Sequence, residues 1–194
     1  MNMPYDAQSD VSDEALLVAF GNGDRQAARE LTLRLTPRVL GYATRLLRDR
    51  AEAEDVAQEA MMRLWKIAPD WRQGEAKITT WLYRVVSNLC TDRLRKKRGV
   101  ALDAIEEPAD DAPSVEAVMI DRARQLALYE ALATLPERQR QAVQLRHIEG
   151  VSNPDIAQIM ALSVEAVESL TARGKRALKL ALAQRRQELG YEND

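Results

Sequence analysis

The residues of this chain best suited to chemistry lie between Thr79 and Arg98, TTWLYRVVSNLCTDRLRKKR. Arg84, Asn88, Thr91 and Arg95 follow one another at steps of four, three and four, so a helix gathers them into one polar stripe. Guanidinium, amide and hydroxyl groups in such a row donate hydrogen bonds to phosphate oxygens and base edges. Five basic residues in six positions, Arg93, Arg95, Lys96, Lys97 and Arg98, close the segment and attract a polyanion. Ile78, Leu82, Val85, Val86, Leu89 and Leu94 recur mostly at steps of three or four, which predicts one buried face. A buried face, a row of donors and a cationic end suit a helix lying along nucleic acid. A solvated amphipathic helix with a charged end is the plain alternative.

Other chemistries find few residues. Cys90 is the only cysteine, so the chain forms no internal disulfide, and its place at the edge of the apolar face predicts a packed small hydrophobe. His147 is the only histidine. One Cys and one His exclude the usual zinc sites, and only His147 offers a general base. No glycine-rich phosphate cradle is present, since Gly21-Asn22-Gly23 reads as a turn. No catalytic set, metal site or cofactor is therefore expected.

The elements that must position the stripe are helical. Of the 194 residues 46% are hydrophobic, 30% charged and 5% aromatic, and the strong helix formers Ala, Leu, Arg, Glu and Gln dominate. No apolar run approaches the ~18 residues of a membrane span, and the acidic start MNMPYDAQSDVSDE lacks the basic flank and apolar block of a secretory signal. A soluble, cytoplasmic, all-α protein without membrane insertion is expected. The net charge of −2 divides unevenly. Residues 1–98 hold 17 Lys and Arg against 14 Asp and Glu, residues 99–121 none against 7, and residues 122–194 11 against 9. The acidity lives in one short segment, and local clustering decides polyanion binding better than the total.

Along the chain, Ser12 or Asp13 caps a first helix that ends at Gly21–Gly23, and Asp24 starts a second. Leu31, Leu35, Val39, Tyr42 and Leu46 mark its buried stripe, while Pro37 predicts a kink or break near Thr36. Glu52, Glu54 and Asp55 open a third helix running to about Ala68, where they complement its dipole. Pro69 to Gly74 reads as a loop. From Gly99 to about Ser114 two prolines and a run of acids predict an extended linker. Helical pattern resumes over Val115–Leu135, and Pro136 opens a further helix that Gly150 ends. Two small helical domains, 12–98 and 122–185, joined by an acidic connector at 99–121, are the expected architecture.

Residues 152–180 make a second candidate for contact with DNA. Ser152 and Asp155 form a capping box, Ala161-Leu162-Ser163 a short turn, and Ser163 caps the following helix. Val164, Val167, Leu170 and then Ala177 or Leu178 predict its buried side, leaving Glu165, Glu168, Ser169, Ala172, Arg173 and Arg176 outward. In a helix–turn–helix the early residues of the second helix reach base edges while Arg and Lys meet phosphates. Any αα-hairpin with a small residue at the turn shares this pattern.

Three separated blocks, in order, resemble the extracytoplasmic-function sigma factors, the minimal two-domain class of bacterial RNA polymerase sigma subunits. AEAEDVAQEAMMRLWK (Ala51–Lys66) resembles the family's core-polymerase-binding helix, TTWLYRVVSNLCTDRLRKKR its −10-reading helix, and Leu135–Leu178 its −35-reading domain. The resemblance spans roughly Ser12 to Ala183. It implies that Asp55, Gln58, Glu59 and Met62 dock on the β′ clamp helices of core RNA polymerase, with the second domain at the β flap. It implies that Asn88 reads a base flipped from the −10 element into a pocket walled by the Trp71–Lys77 loop. Flipping costs a few kcal/mol, and stacking, for which Trp71 is the candidate, returns roughly 1–3 kcal/mol per base. Arg72, Arg84, Arg95, Lys96 and Arg98 would contact the same DNA, and Ser169, Arg173, Lys175 and Arg176 the −35 element. An anti-sigma factor is the further partner implied. The chain departs from the family at Glu168, where many members carry a basic residue, and at Ala172. Glu168 could repel phosphate or accept from cytosine N4.

Three other readings share parts of the pattern. A sigma-like decoy that titrates an anti-sigma factor has no need of Arg93–Arg98. A dimeric helix–turn–helix regulator leaves Ala51–Lys66 unexplained. A helical enzyme has only His147 to work with.

Overall fold

The structure is a computed structural model that describes residues 11–72, 74, 77–100 (backbone alone for 98–100) and 126–183. Among these residues every regular element is helical. In the first half, α1 (Asp13–Gly21), α2 (Arg25–Leu47), α3 (Arg50–Ile67) and α4 (Ile78–Val100) pack together. Each start has a local cause. Ser12 Oγ accepts from the Ala15 amide, Asp24 carboxylate from Gln26 and Ala27, and Asp49 carboxylate from Glu52. The Ile78 amide, at the head of α4, donates to Glu14 Oε1 at 3.3 Å, which ties α4 to α1. Leu31, Leu35, Val39, Tyr42 and Leu46 are all buried, as their spacing predicts.

Pro37 does not break α2, which runs unbroken from Arg25 to Leu47. The carbonyl that proline leaves without its helical partner belongs to Leu33, and both Leu33 and Pro37 are exposed. Water can satisfy that oxygen, while the buried stripe on the opposite side holds the helix together.

The described part of α5 covers 126–133, ending two residues short of the expected Leu135. α6 (Glu137–Val143) follows, then a π-helical turn (Gln144–Ile148), α7 (Asn153–Met160) and α8 (Val164–Ala183). The single helix expected from Pro136 to Gly150 therefore changes winding after Val143. Ser152 accepts from the Asp155 amide and donates to its carboxylate at 2.6 Å, and Ser163 Oγ accepts from the Ala166 amide, so both helices of the αα-hairpin start on the caps expected. The acidic connector lies outside the described residues except for Gly99 and Val100, which continue α4 as helix. Leu132, Leu135 and Val143 form a small apolar cluster with Ala177 and Leu178. Leu145, Ile156, Ile159 and Val167 instead join the main core of α1–α4, so the apolar interior is continuous across both halves.

Candidate functional site

α4 buries Ile78, Leu82, Val86 and Cys90, leaving Val85, Leu89 and Leu94 half-buried against the same core. Burial pushes the Cys90 thiol up to about 12, so it packs as a small hydrophobe. Tyr83 and Ser87 are buried too, which the apolar pattern did not indicate. Tyr42 and Ser87 share a hydrogen bond of 3.0 Å between hydroxyls, and Tyr42 meets Tyr83 edge-on at 5.2 Å.

Arg84, Asn88 and Arg95 are exposed on one side of α4, with Thr91 half-buried between them. Lys96 is exposed as well. Two members of the basic cluster are committed within the fold. Arg93 pairs with Glu52 at 3.0 Å and donates to the Glu52 carbonyl, and Lys97 pairs with Asp49 at 2.9 Å. That contact lowers the Asp49 pKa, after the larger effect of the Glu52 amide, and raises that of Lys97. The Arg98 side chain lies outside the described residues. The cationic end thus divides into a structural pair turned to α3 and an outward pair, Arg95 and Lys96.

The loop before α4 opens with a 3₁₀ turn (Ala68–Asp70). Trp71 is half-buried against the core with its indole Nε1 buried and unpartnered, and Arg72 is exposed. Residues 73, 75 and 76 of the expected pocket wall are outside the described set.

On α3, Asp55, Gln58 and Met62 are exposed along one face, and Glu59 is half-buried in a 2.8 Å pair with Arg63. Beside them an apolar groove between α2 and α3 is lined by Leu40, Ala57, Met61, Met62 and Trp65. Met62 is 51% exposed, a large apolar side chain at the lip of an open groove.

On α8, Glu165, Glu168, Ser169, Ala172, Arg173, Lys175 and Arg176 are exposed. Arg173 donates back to the Ser169 carbonyl at 3.3 Å, which holds the two on one ledge. Glu168 Oε1 accepts from Asn153 Nδ2 at 3.5 Å, so its carboxylate links α8 to the start of α7. Gly174, absent from the expected buried stripe, is buried because α8 crosses α6 there. His147 is exposed, its pKa lowered by partial burial and by Lys175 and Arg146.

Residues 31–100 match the family of sigma-70 region 2, and residues 125–178 match sigma-70, region 4. The RNA polymerase sigma-H factor of Pseudomonas aeruginosa is 32% identical over 181 residues, covering 88% of this chain and 93% of that one. The ECF RNA polymerase sigma factor SigM of Mycobacterium tuberculosis is 32% identical, over 86% of this chain and 83% of that one. The chain belongs to the extracytoplasmic-function RNA polymerase sigma factors. The fold agrees: the sigma factor RpoE of Bartonella quintana, solved with the anti-sigma factor NepR, aligns with a TM-score of 0.64 at 22% identity, over 80% of this chain and 96% of that one. CnrH, solved with the cytosolic domain of CnrY, aligns at 0.67 and 23% identity, over 89% and 97%. This sigma factor is a transcription-initiation subunit that binds core RNA polymerase and directs it to promoters, in a family of non-enzymatic initiation factors. No described helix is long and apolar enough to cross a membrane.

Proposed function

We propose that this sigma factor divides its work among three surfaces. Asp55, Gln58, Glu59 and Met62 dock on the β′ clamp helices, with carboxylates meeting basic side chains and Met62 and the groove behind it supplying apolar area. Asn88 reads a base of the opened −10 element, while Arg84, Arg95, Lys96 and Arg98 hold phosphates and Trp71 and Arg72 border the pocket. Ser169, Arg173, Lys175 and Arg176 meet the −35 element, and the helix–turn–helix half rests on the β flap. The division follows the sequence: 12–98 for core and −10, 99–121 as connector, 122–185 for −35. Bond-making stays with the polymerase, and the chain acts in the cytoplasm. Control by an anti-sigma factor belongs to the same proposal, since RpoE and CnrH are both solved with a bound partner.

One observation carries it: Asp55, Gln58 and Met62 of α3 and Arg84, Asn88 and Arg95 of α4 are exposed, while Val56, Ala60 and Leu64 of α3 and Leu82, Val86 and Cys90 of α4 are buried in the core. Run-off transcription with bacterial core RNA polymerase on a genomic fragment library, with and without the protein, tests it. Promoter-specific products that need the protein are expected. Asn88→Ala should cut promoter opening, read by permanganate footprinting, in line with the ~1–3 kcal/mol of a base contact, while core binding is unchanged. Equal loss of both would remove Asn88 from the base-reading role.

A further inference from the structure

The head of α8 carries two acids, Glu165 and Glu168, exposed on the side that Ser169, Arg173 and Arg176 share. An acid on a surface offered to a polyanion is repelled by phosphate. The two acids differ in what occupies them. Glu165 turns back on its own helix, where its own amide and then the Ser163 hydroxyl lower its pKa. Glu168 instead meets Asn153, the first residue of α7, whose Nδ2 donates to Oε1 at 3.5 Å.

The Asn153 amide has one orientation open to it. Its Oδ1 is buried without a partner, and the reverse orientation would set that oxygen against the Glu168 carboxylate, acceptor against acceptor. The nitrogen therefore faces Glu168 and steadies it. The contact is long for a hydrogen bond and engages one of the roughly four lone-pair sites of a carboxylate. Among the described residues Oε2 has no partner. Ala172, one turn further on, is small and exposed, so it does not cover the carboxylate.

Spacing along α8 separates two tasks. Arg173 and Arg176 lie beyond Glu168 by roughly 7 and 12 Å along the helix axis. When the early residues of a recognition helix enter the major groove, the carboxylate reaches base edges and the guanidinium groups reach phosphates. An ionised carboxylate only accepts hydrogen bonds. Guanine turns N7 and O6 into that groove, and thymine turns O4 and a methyl, so both oppose it. Adenine offers its N6 amino group but sets the N7 acceptor beside it. Cytosine presents the N4 donor with no acceptor of its own.

We propose that Glu168, positioned by Asn153, is a specificity-determining residue of this sigma factor, selecting cytosine at one position of the −35 element and rejecting the other three bases there. The assignment deepens the −35 role given to α8 and rests on it. Much of the selection is rejection, because the carboxylate lowers affinity for every site that lacks the N4 donor. The charges of Arg173, Lys175 and Arg176 supply the phosphate attraction that Glu168 forgoes.

A promoter recovered from the genomic library and randomised across its −35 element supplies the test. Run-off yield is read with the full chain on bacterial core polymerase, and the four bases are ranked at each position. The wild type should prefer cytosine on one strand at one position by at least fivefold, equivalent to about 1 kcal/mol. Glu168→Gln should abolish that preference and favour adenine, whose N6 and N7 an amide pairs together, while the ranking at the other positions holds. Loss of the cytosine preference at that position alone supports the assignment, whichever base replaces it. Yield from promoters without the cytosine should rise in the same variant. Asn153→Ala should relax that position by at least twofold, with the other positions and the melting curve unchanged. A fall at all positions alike in Asn153→Ala would strike its positioning role. A −35 element without a preferred cytosine, or a cytosine preference that survives Glu168→Gln, would overturn the assignment while leaving the −35 role of α8 in place. If no −35 position shows any base preference, or no promoter is recovered, the −35 role itself falls and the assignment with it.

Discussion

At Gly174 α8 comes close against α6: a Cβ built there would stand 2.5 Å from Val143 Cγ2 and 3.2 Å from the Gln139 carbonyl. Gly174→Ala should therefore destabilise the helix–turn–helix half by about 1–3 kcal/mol, as overpacking of a tight contact does. Thermal unfolding followed by circular dichroism would show it, and an unchanged midpoint would refute the close approach. The apolar spacing of Val164, Val167 and Leu170 points at this side of α8, but a glycine carries no apolar signal, so the residue that sets the approach was silent in the sequence. Cys90 was legible, because its neighbours on the stripe are apolar. Its burial and a thiol raised to about 12 predict that native protein at pH 8 reacts with a thiol reagent far more slowly than protein in guanidinium. Rapid labelling of the native form, followed by absorbance, would contradict that packing.

At the scale of the element, what could be read from the sequence was what is encoded within a few residues. Ser12, Asp24, Ser152 and Ser163 each cap the helix that follows them, since the side-chain oxygen and the amide it serves lie two or three positions apart. Ser152→Ala should cost about 1 kcal/mol and lower the melting temperature, with Asp155 losing a hydroxyl donor besides. What could not be read was an outcome decided by burial. Pro37 looks the same in sequence whether its missing hydrogen bond faces water or core, and only the exposed setting of Leu33 and Pro37 explains the unbroken α2. Replacing Pro37 with Ala restores an amide donor to the Leu33 carbonyl. The melting temperature should rise, by no more than the ~3 kcal/mol cost of an interior proline. The π-helical turn was hidden for a related reason: buried Gln144 is held by the Arg45 carbonyl, a partner 99 positions away.

At the scale of the molecule, the two sigma-70 regions were legible as separate blocks, whereas the contact between them was not. Arg45 and Glu149 are 104 positions apart, and Tyr83 and Glu149 are 66, so neither periodicity nor capping chemistry links them. The response of the folded chain to pH is set by other groups, Asp155, Asp49 and Lys97. The pKa of Asp155 is lowered first by the Ser152 hydroxyl, then by Lys77 and Thr80, so its ionised form is favoured in the folded chain. A carboxyl with a depressed folded pKa contributes stability that is fully present above its ordinary value of ~3.9 and is lost as pH falls through the lowered one. Asp49 behaves alike, whereas Lys97, raised by Asp49, contributes below the ordinary lysine value and is lost only in strong alkali. Stability should thus be flat from about pH 5 to 9 in these pairs and decline on acidification below about 4. Because Lys77 is well exposed, the loss at that pair stays within the ~0–1 kcal/mol of a surface ion pair. Melting temperature against pH, for the wild type and for Asp155→Asn, separates the contributions. The substitution should reduce the acid limb and leave the alkaline limb unchanged, and an acid limb identical in both proteins would mean that Asp155 does not help to hold the halves together.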